Sequence, residues 1–355
     1  MKQTVRYLRT KDGLSLAWAK SGRGPPLVRA SNWLTHLEYD WESPVWRHWT
    51  SFLAQNFQYV RYDERGCGMT DRRLGELSMA SWTGDLEDVV DASEVTRPVI
   101  LFSVSQGSAI AINYALQYPE RVSRLVLYGG YAVGAKGCEN KDYFESYQAI
   151  ATLIRRGWNS ENPVFRQLFT SRFIPDGTDE QLGWFNELCQ RTTTPENAYR
   201  LMSARADIDI RERLSELRIP TLVLHADRDE VVPASEGRRL AAEIKGAEFV
   251  SLKTRNHILL EREPAWKDFC SAVLAFTSGL DAADDARRIF ATLTNREQQV
   301  YTALCGGASN VKIAERLAIS EKTVRNHLSS LFQKLGVHSR TEAIVLAREQ
   351  DFRLS

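Results

Sequence analysis

A break in one apolar segment, LFSVSQGSAIAINYA at residues 101–115, determines the topology expected for most of this chain. The run before the break is apolar on both faces, as a buried strand requires, and the run after it has the spacing of a helix that begins at Gln106. A tight turn between the two elements crowds its neighbours, and the small residues Ser103 and Gly107 relieve that crowding. Ser105 is therefore predicted to lie at a strand-to-helix elbow.

Short β-rich runs alternate with helical stretches from residue 1 to about residue 278. The runs PVILFS, RLVLYGG and TLVLHAD are apolar on both faces, which indicates a mostly parallel sheet covered by helices. Strand signals vanish between Gly130 and Pro220, where YFESYQAIATLIRRGW and DEQLGWFNELCQ are amphipathic and rich in aromatic residues. This change predicts a helical cap, at about residues 131–219, inserted into the sheet domain.

The length of 355 residues exceeds the usual size of one hydrophobic core, so two domains are expected. A glycine and an acidic cluster in SGLDAADDARR, residues 278–288, mark a boundary. We assign residues 1–278 to the sheet domain, residues 279–289 to a linker and residues 290–355 to a small all-helical domain.

Composition excludes several classes of protein. Hydrophobic residues make up 43% of the chain, but no run approaches the roughly 20 apolar residues of a membrane span. The amino-terminal segment MKQTVRYLRTKDGLSLAW lacks a signal-peptide core, so we expect a cytoplasmic protein with no membrane role. The five cysteines lack metal-binding spacing, and no phosphate loop or dinucleotide fingerprint occurs, so we expect neither a metal nor a cofactor. The net charge of +1 still allows a local basic patch.

Ser105 has two downstream residues that fit a catalytic arrangement. A serine hydroxyl is a poor nucleophile at neutral pH and needs a histidine base and an acid that orients the imidazole. Asp229 follows the strand TLVLH, with Asp227 as the less favoured choice, and His257 lies in the loop KTRNHILLEREP. A lone serine in a turn is more often structural, but the chain order Ser, Asp, His favours a nucleophile, an orienting acid and a base.

These features together resemble the α/β-hydrolase family over roughly residues 1–278. The elbow is similar to the family's G-x-S-x-G motif, with Ser103 in place of the first glycine. The segment RYDERGCGMTDR, residues 61–72, is similar to the family's D-x-R-G-x-G-x-S segment, with Thr70 in place of serine. The resemblance implies an α/β-hydrolase sheet with an inserted cap and an ester or lactone as the substrate class.

The resemblance also implies an oxyanion and ligand pocket. In the family, backbone N–H groups after the nucleophile and after an early strand bind the oxyanion, which implies Gln106 and the Asn32/Trp33 region here. Many relatives have His-Gly where this chain reads Ser31-Asn32-Trp33, so the second donor departs from the family pattern. Trp33 could either line an apolar pocket or pack in the core.

Residues 293–349 follow a different pattern. A short amphipathic helix is followed by Ala318-Ile319-Ser320 as a tight connection, with Ser320 as an N-cap. The next helix buries apolar residues at steps of four, three and four: Val324, Leu328, Leu331 and Leu335. Polar side chains then face elsewhere, which is the division that a helix-turn-helix requires.

Local charge agrees with a DNA-binding role. Residues 311–340 contain six lysines and arginines against two glutamates, which gives a net charge of +4. The segments LTNRE, SNVKIAERLAIS, EKTVRNHLSSLFQKLGV and SRTEA together resemble the LuxR-type DNA-binding domain across its whole length. The resemblance implies double-stranded DNA as a partner.

Positions of the LuxR-type recognition helix can be carried over to this chain. They imply base-reading roles for three polar residues: Arg325, Asn326 and Ser329. Lys322 and Thr323 are placed near phosphate, and His327 either contacts the DNA backbone or packs. Lys312 and Lys334 are candidate phosphate contacts, because cationic side chains supply sequence-independent affinity. The family commonly pairs through its last helix, here Thr341 through Arg348, so a homodimer is expected.

Two functions from different classes follow. The leading interpretation is a transcription regulator that responds to an unknown small molecule and uses the hydrolase fold as its sensor. The alternative is an active serine ester or lactone hydrolase with a regulatory DNA-binding domain, and a third possibility combines both activities.

Overall fold

The chain divides into two compact units, Met1–Thr277 and Ser278–Ser355. In the computed structural model, the described residues are 3–138, 141–278, 293–335, 337 and 339–349. The linker predicted at residues 279–289 lies outside them.

The first unit contains an eight-stranded sheet in the order β1-β2-β4-β3-β5-β6-β7-β8. The strands are β1 Thr4–Arg9, β2 Ser15–Ser21, β3 Pro26–Ala30, β4 Gln58–Tyr62, β5 Val99–Val104, β6 Val122–Tyr128, β7 Thr221–Ala226 and β8 Glu248–Leu252. The β1/β2 and β2/β4 pairs are antiparallel and the other pairs are parallel. Every residue of β3, β5 and β7 is buried, because helices cover both faces of the sheet. The predicted mostly parallel sheet is confirmed.

The helices of the first unit cover the sheet and form the cap. They are α1 Leu37–Trp41, α2 Arg47–Asn56, α3 Met79–Ala92, α4 Gly107–Gln117, α5 Lys141–Gly157, α6 Val164–Thr170, α7 Asp179–Thr192, α8 Pro195–Ala206, α9 Ala234–Glu243 and α10 Pro264–Thr277. Three 3₁₀ turns occupy Pro119–Arg121, Ala135–Gly137 and Arg211–Glu216. Aliphatic side chains of α3 and α4 pack on one face of the sheet. On the other face, the rings of Trp49 and Phe269 lie 4.7 Å apart, and the Trp49 ring lies 5.2 Å from the Tyr128 ring.

The helices α5 to α8 lie between β6 and β7 in the chain and form the predicted cap. Helix α5 packs against α8, and α6 against α7. Thr178 and Thr194 cap α7 and α8, and each hydroxyl accepts a backbone N–H of the first turn. The cap is joined to the loop after β4 by the buried ion pair of Arg205 with Glu64.

The second unit contains four described helices, α11 Asn295–Cys305, α12 Asn310–Leu317, α13 Glu321–Leu335 and α14 Arg340–Glu349. Ala318 ends α12 in the left-handed conformation, with φ of 50°, and this residue makes the tight connection to α13. The Ser320 hydroxyl accepts the backbone N–H of Thr323 at 3.1 Å, as an N-cap does. The four apolar residues predicted for the inner face of α13 are all buried.

Glu297 is the polar centre of this helical unit. Its carboxylate accepts hydrogen bonds from the Ser330 hydroxyl at 2.7 Å and from Nζ of Lys334 at 2.8 and 3.0 Å. It also accepts the backbone N–H of Thr294, which completes a capping box at the start of α11. Only 4% of the residue is exposed, so one carboxylate fixes the start of α11 to the end of α13.

Acid should weaken the second unit through Glu297. The bonds from Lys334, Ser330 and Thr294 lower the pKa of Glu297 to about 2. A depressed folded-state pKa gives stability that is complete above the unfolded value, here 4.5, and is lost as the pH falls towards about 2. We expect Glu297→Gln to lower the free energy of unfolding at pH 7 by about 1 to 3 kcal/mol and to remove this pH dependence.

Amide hydrogen exchange of peptides from α11 and α13, corrected for intrinsic rates and measured from pH 2 to pH 7, tests this expectation. The matched control is Glu315→Gln, because Glu315 is an exposed residue of α12. An acid profile that is the same in Glu297→Gln and in the unsubstituted protein would contradict the role of Glu297.

Candidate functional site

Ser105 lies in the sharp turn between β5 and α4. Its φ is 55°, a left-handed conformation that residues other than glycine rarely adopt. The backbone holds it there, because the Ser105 N–H donates to the Tyr128 carbonyl at 2.9 Å and the Ser105 carbonyl accepts from the Ser108 N–H at 3.0 Å. A Cβ at Gly107 would lie 2.9 Å from the Ala30 carbonyl oxygen, so a glycine is needed for the close approach of α4 to β3.

Asp229 and His257 meet at the carboxyl end of the sheet. The distance from Nδ1 of His257 to Oδ2 of Asp229 is 2.6 Å, and both side chains are buried. Oδ1 of Asp229 accepts the backbone N–H groups of Val231 and Val232 at 2.8 and 3.0 Å. Burial opposes the charge of Asp229, but His257, His225 and the backbone donors together lower its pKa. The carboxylate is thus fixed to orient the His257 ring.

The second ring nitrogen of His257, Nε2, is the candidate proton acceptor. Nε2 is buried and has no hydrogen-bond partner among the described residues. A Cβ at Gly129 would lie 3.1 Å from Cε1 of His257, so this glycine gives the ring its space. Asp227, the less favoured acid, instead accepts the Thr254 N–H at 3.1 Å and is partly exposed.

Two residues of this site were missed by the sequence analysis. His225, at the end of β7, has Nε2 3.0 Å from the Val232 carbonyl oxygen and 3.7 Å from Oδ2 of Asp229. Burial lowers the pKa of His225, which favours the neutral ring. The second missed residue is Arg205, which is buried. A basic residue on an amphipathic helix gives no sign in the local sequence that it is buried.

A cavity lies between the loops of the sheet and the cap. The sheet side contributes Trp33, Ser105 and Gln106, and the cap side includes Tyr147, Phe169, Met202 and Arg205. Its free volume of about 80 Å³ is smaller than the roughly 150 Å³ of an apolar cavity that admits benzene. A larger ligand therefore requires the cap side chains to move.

Trp33 connects the sheet side of the cavity to the cap. Its ring stacks on Trp158 with a centroid distance of 5.7 Å and lies 5.3 Å from the ring of Phe169. The guanidinium carbon of Arg205 lies 5.2 Å from the Trp33 ring, which is the geometry of a cation–π contact. Asn32 does not line this cavity, because its Oδ1 accepts from Nε of Arg29 at 3.1 Å and its amide donates to the Trp33 carbonyl.

Two donors converge on the side-chain amide of Gln106. They are the backbone N–H of Trp33 and Nε of Arg205, which lies 3.2 Å away. Because both are donors, the amide is oriented with its oxygen towards them. Nη2 of Arg205 donates to both carboxylate oxygens of Glu64, while Nη1 is buried without a hydrogen-bond partner among the described residues.

The polar face of α13 is the second candidate site. Four of the predicted DNA-contacting residues on it are exposed: Lys322, Arg325, Asn326 and Ser329. Thr323 and His327 are half-buried beside them. The guanidinium of Arg325 lies 3.9 Å from the carboxylate of Glu321, a distance that leaves it available to a stronger acceptor.

The two lysines predicted to contact phosphate differ in their surroundings. Lys312 is exposed in the first turn of α12. Lys334 is held by Glu297, and 35% of its side chain is exposed. Much of the Lys334 charge is therefore matched within the helical unit. On α14, the predicted pairing helix, the side chain of Val345 is 45% exposed.

The described part of the chain has no helix with the length and apolar character needed to cross a membrane. It also has no group of three or more histidine, cysteine, aspartate or glutamate residues arranged to hold a metal ion.

The fold and the elbow define the first unit as an α/β hydrolase. Residues 47–264 match the family described as serine aminopeptidase, S33, and the chain belongs to this family. Residues 291–347 match the bacterial regulatory proteins of the luxR family, so the second unit is a LuxR-type DNA-binding domain.

Individual relatives agree with this fusion. The chain is 26% identical over 244 residues to pyrrolizixenacetamide deacetylase of Xenorhabdus hominickii, a match covering 67% of this chain and 86% of that protein. It is 32% identical over 139 residues to the transcriptional regulatory protein YhcZ of Bacillus subtilis, covering 38% of this chain and 63% of that protein. A hydrolase structure from Pseudomonas aeruginosa superposes with a TM-score of 0.64 at 26% identity, covering 78% of this chain and 99% of that chain.

Replacing the orienting acid should slow reaction at Ser105. We expect Asp229→Asn to reduce the rate of Ser105 labelling by a fluorophosphonate by roughly 10⁴-fold, because the amide leaves the imidazole in the wrong tautomer. Intact-mass spectrometry measures the rate. Asp227→Asn is the matched control and should label at the rate of the unsubstituted protein. Equal slowing in both variants would contradict the role of Asp229 as the acid that orients His257.

Substitution of a base-reading residue and substitution of a phosphate-binding residue should have different effects on DNA binding by the helical unit. We expect Arg325→Ala to weaken binding to the specific duplex by about 1 to 3 kcal/mol, with a smaller effect on a scrambled duplex. Lys312→Ala should weaken binding to both duplexes alike. Competition titrations at one fixed salt concentration measure the two effects, and unchanged selectivity in Arg325→Ala would exclude base reading by Arg325.

Proposed function

We propose that this protein is a ligand-responsive transcription regulator, in which the α/β-hydrolase unit binds a small molecule and the LuxR-type unit binds double-stranded DNA. The observation that carries the proposal is the cavity lined by Ser105, on the same chain as a helix with an exposed polar face. A regulator with a hydrolase-fold domain follows from the two family matches, and sensing by that domain is the proposed step.

The lining of the cavity supports a small organic ligand. Aromatic and aliphatic side chains such as Phe169 and Met202 form most of the wall, and a few polar groups, including Gln106 and Arg205, converge on it. Apolar walls with a few placed polar groups are typical of small-molecule sites. Because the free volume is small, ligand entry would shift side chains of the cap, which gives two conformations between which a ligand can discriminate.

Hydrolysis is the second candidate function, and the Asp229–His257 pair favours it. In this reaction the Ser105 oxygen attacks the acyl carbon, its proton moves to Nε2 of His257, and the carbonyl electrons move onto the oxygen. Collapse of the intermediate expels the leaving group, which takes the proton from His257, and water then releases the acyl group by the same steps. The matched deacetylase is a relative named for acyl-group removal. Slow turnover of the effector would end its own signal.

The DNA-binding form is proposed to be a homodimer. The exposed apolar side chain of Val345 on α14 supports this proposal, as does the family resemblance, which implies pairing through this helix. Two copies of α13 would then read half-sites about 34 Å apart or a multiple of that spacing.

Ligand and operator should affect each other's binding. The operator can be selected from a random duplex pool, and the ligand identified by mass spectrometry of molecules that co-purify. We expect the ligand to change operator affinity by roughly 1 to 3 kcal/mol, and the operator to change ligand affinity by the same factor, because coupling is reciprocal. Fluorescence anisotropy of labelled DNA at fixed salt measures the first effect.

Ser105→Ala separates occupancy from turnover in this experiment. A response retained in Ser105→Ala indicates sensing by occupancy, and a response lost despite normal ligand binding indicates that catalysis is required. No response in either protein with the ligand demonstrably bound would contradict the sensor function and favour the hydrolase alone.

A further inference from the structure

The Gln106 side chain lies where a ligand oxygen is expected. In the orientation that its two donor neighbours require, its amide oxygen accepts from the backbone N–H of Trp33 and from Nε of Arg205. Only 4% of Gln106 is exposed, and the residue lines the cavity beside Ser105. The amide is therefore a fixed part of the cavity wall.

The Trp33 N–H is one of two donors expected to bind an oxyanion at Ser105. The other is the backbone N–H of Gln106, the N-cap of α4, whose N–H has no partner within the helix. An oxyanion gains its stabilisation from donors that are already oriented and unoccupied when charge develops. Here one of the two donors already binds a carbonyl oxygen of the protein.

We propose that the Gln106 side chain occupies the oxyanion site of the ligand-free protein, so that the carbonyl oxygen of a ligand reaches the Trp33 N–H only by displacing it. This inference rests on the proposed function insofar as the cavity takes an acyl ligand. The exchange replaces one carbonyl acceptor by another, so binding remains possible while the reaction at Ser105 is slowed.

Arg205 determines which kind of oxygen can replace the amide. Its charge is matched by Glu64, and only a few per cent of either residue is exposed. A carboxylate in this position would add an uncompensated negative charge to a buried neutral pair, which is costly. The site is therefore suited to the neutral oxygen of an ester, lactone or amide.

Arg205 also connects the displacement to the cap. It belongs to α8, and its Nε loses an acceptor when Gln106 moves away. A buried donor left without an acceptor is destabilising, so Arg205 must follow Gln106 or bind the ligand oxygen. Occupation of the oxyanion site is thereby transmitted to a cap helix.

Labelling of Ser105 by a fluorophosphonate with a small alkyl group tests the proposal in the full chain. The Ser105 oxygen attacks phosphorus, its proton moves to His257, and fluoride leaves with the P–F electron pair, while the phosphonyl oxygen takes the two backbone donors. Gln106→Met keeps a side chain of similar length without an acceptor oxygen. We expect it to label about fivefold faster, the factor for ~1 kcal/mol of net hydrogen bonding.

Controls separate this effect from a change in folding. Gln148→Met makes the same replacement on the exposed surface of α5 and should label at the unsubstituted rate. Gln106→Asn retains an amide but shortens it, and should also label faster. Equal or slower labelling of folded Gln106→Met, or no labelling of any variant, would overturn the proposal.

A measurement on the unsubstituted protein does not depend on the folding of a variant. In protein with ¹⁵N-labelled glutamine and tryptophan, phosphonylation should move the Gln106 side-chain signals, while the Trp33 amide remains protected from exchange. Unmoved Gln106 signals on full labelling would show that the side chain was never displaced. Operator binding is measured separately, so a failure of ligand sensing and a failure of the Gln106 proposal give different results.

Discussion

The left-handed backbone of Ser105 is the constraint on which the first unit depends. A non-glycine residue in this region costs of order 1 to 3 kcal/mol and persists only when its surroundings fix it. The buried strand β5 and the close approach of α4 to β3 at Gly107 supply that fixation. The same turn brings the candidate nucleophile Ser105, the Gln106 side chain and the N-terminus of α4 to one edge of the sheet. Local strain, core packing and the candidate chemistry therefore meet in three consecutive residues, Ser105 to Gly107.

The cap is positioned over this edge by charge as well as by apolar packing. Breaking a buried ion pair by removing one partner typically costs about 3 to 5 kcal/mol, since the remaining charge is buried without compensation. The Glu64–Arg205 pair thus ties α8 to the loop after β4. Arg205 also contacts the Trp33 ring and the Gln106 amide, so the residue that holds the cap also forms part of the cavity wall. The attachment of the cap and the proposed ligand response therefore both depend on the guanidinium group of Arg205.

Much of this organisation could be predicted from the sequence, because the signals are local. The residue pattern around Ser105 predicts the strand-to-helix turn, and the loss of strand signals after Gly130 predicts the helical cap. Pairings over long distances in the chain leave no such sign. The phosphate role predicted for Lys334 rests on its charge, and the sequence gives no sign of its pairing with Glu297, which lies 37 residues away. Arg205 was missed for the same reason, since its partner Glu64 lies 141 residues away.

The bond between Glu297 and Lys334 has an evolutionary consequence for the LuxR-type unit. Residues that fix the helical unit lie on the inner side of α13, where Ser330 and Lys334 bind Glu297. Residues that face outward, such as Arg325 and Asn326, take no part in that network. If Arg325 and Asn326 read bases, as predicted, substitutions on the outer face alone can follow a change in operator sequence. Duplicated copies of such a gene can acquire new regulatory targets while the helical scaffold keeps its stability.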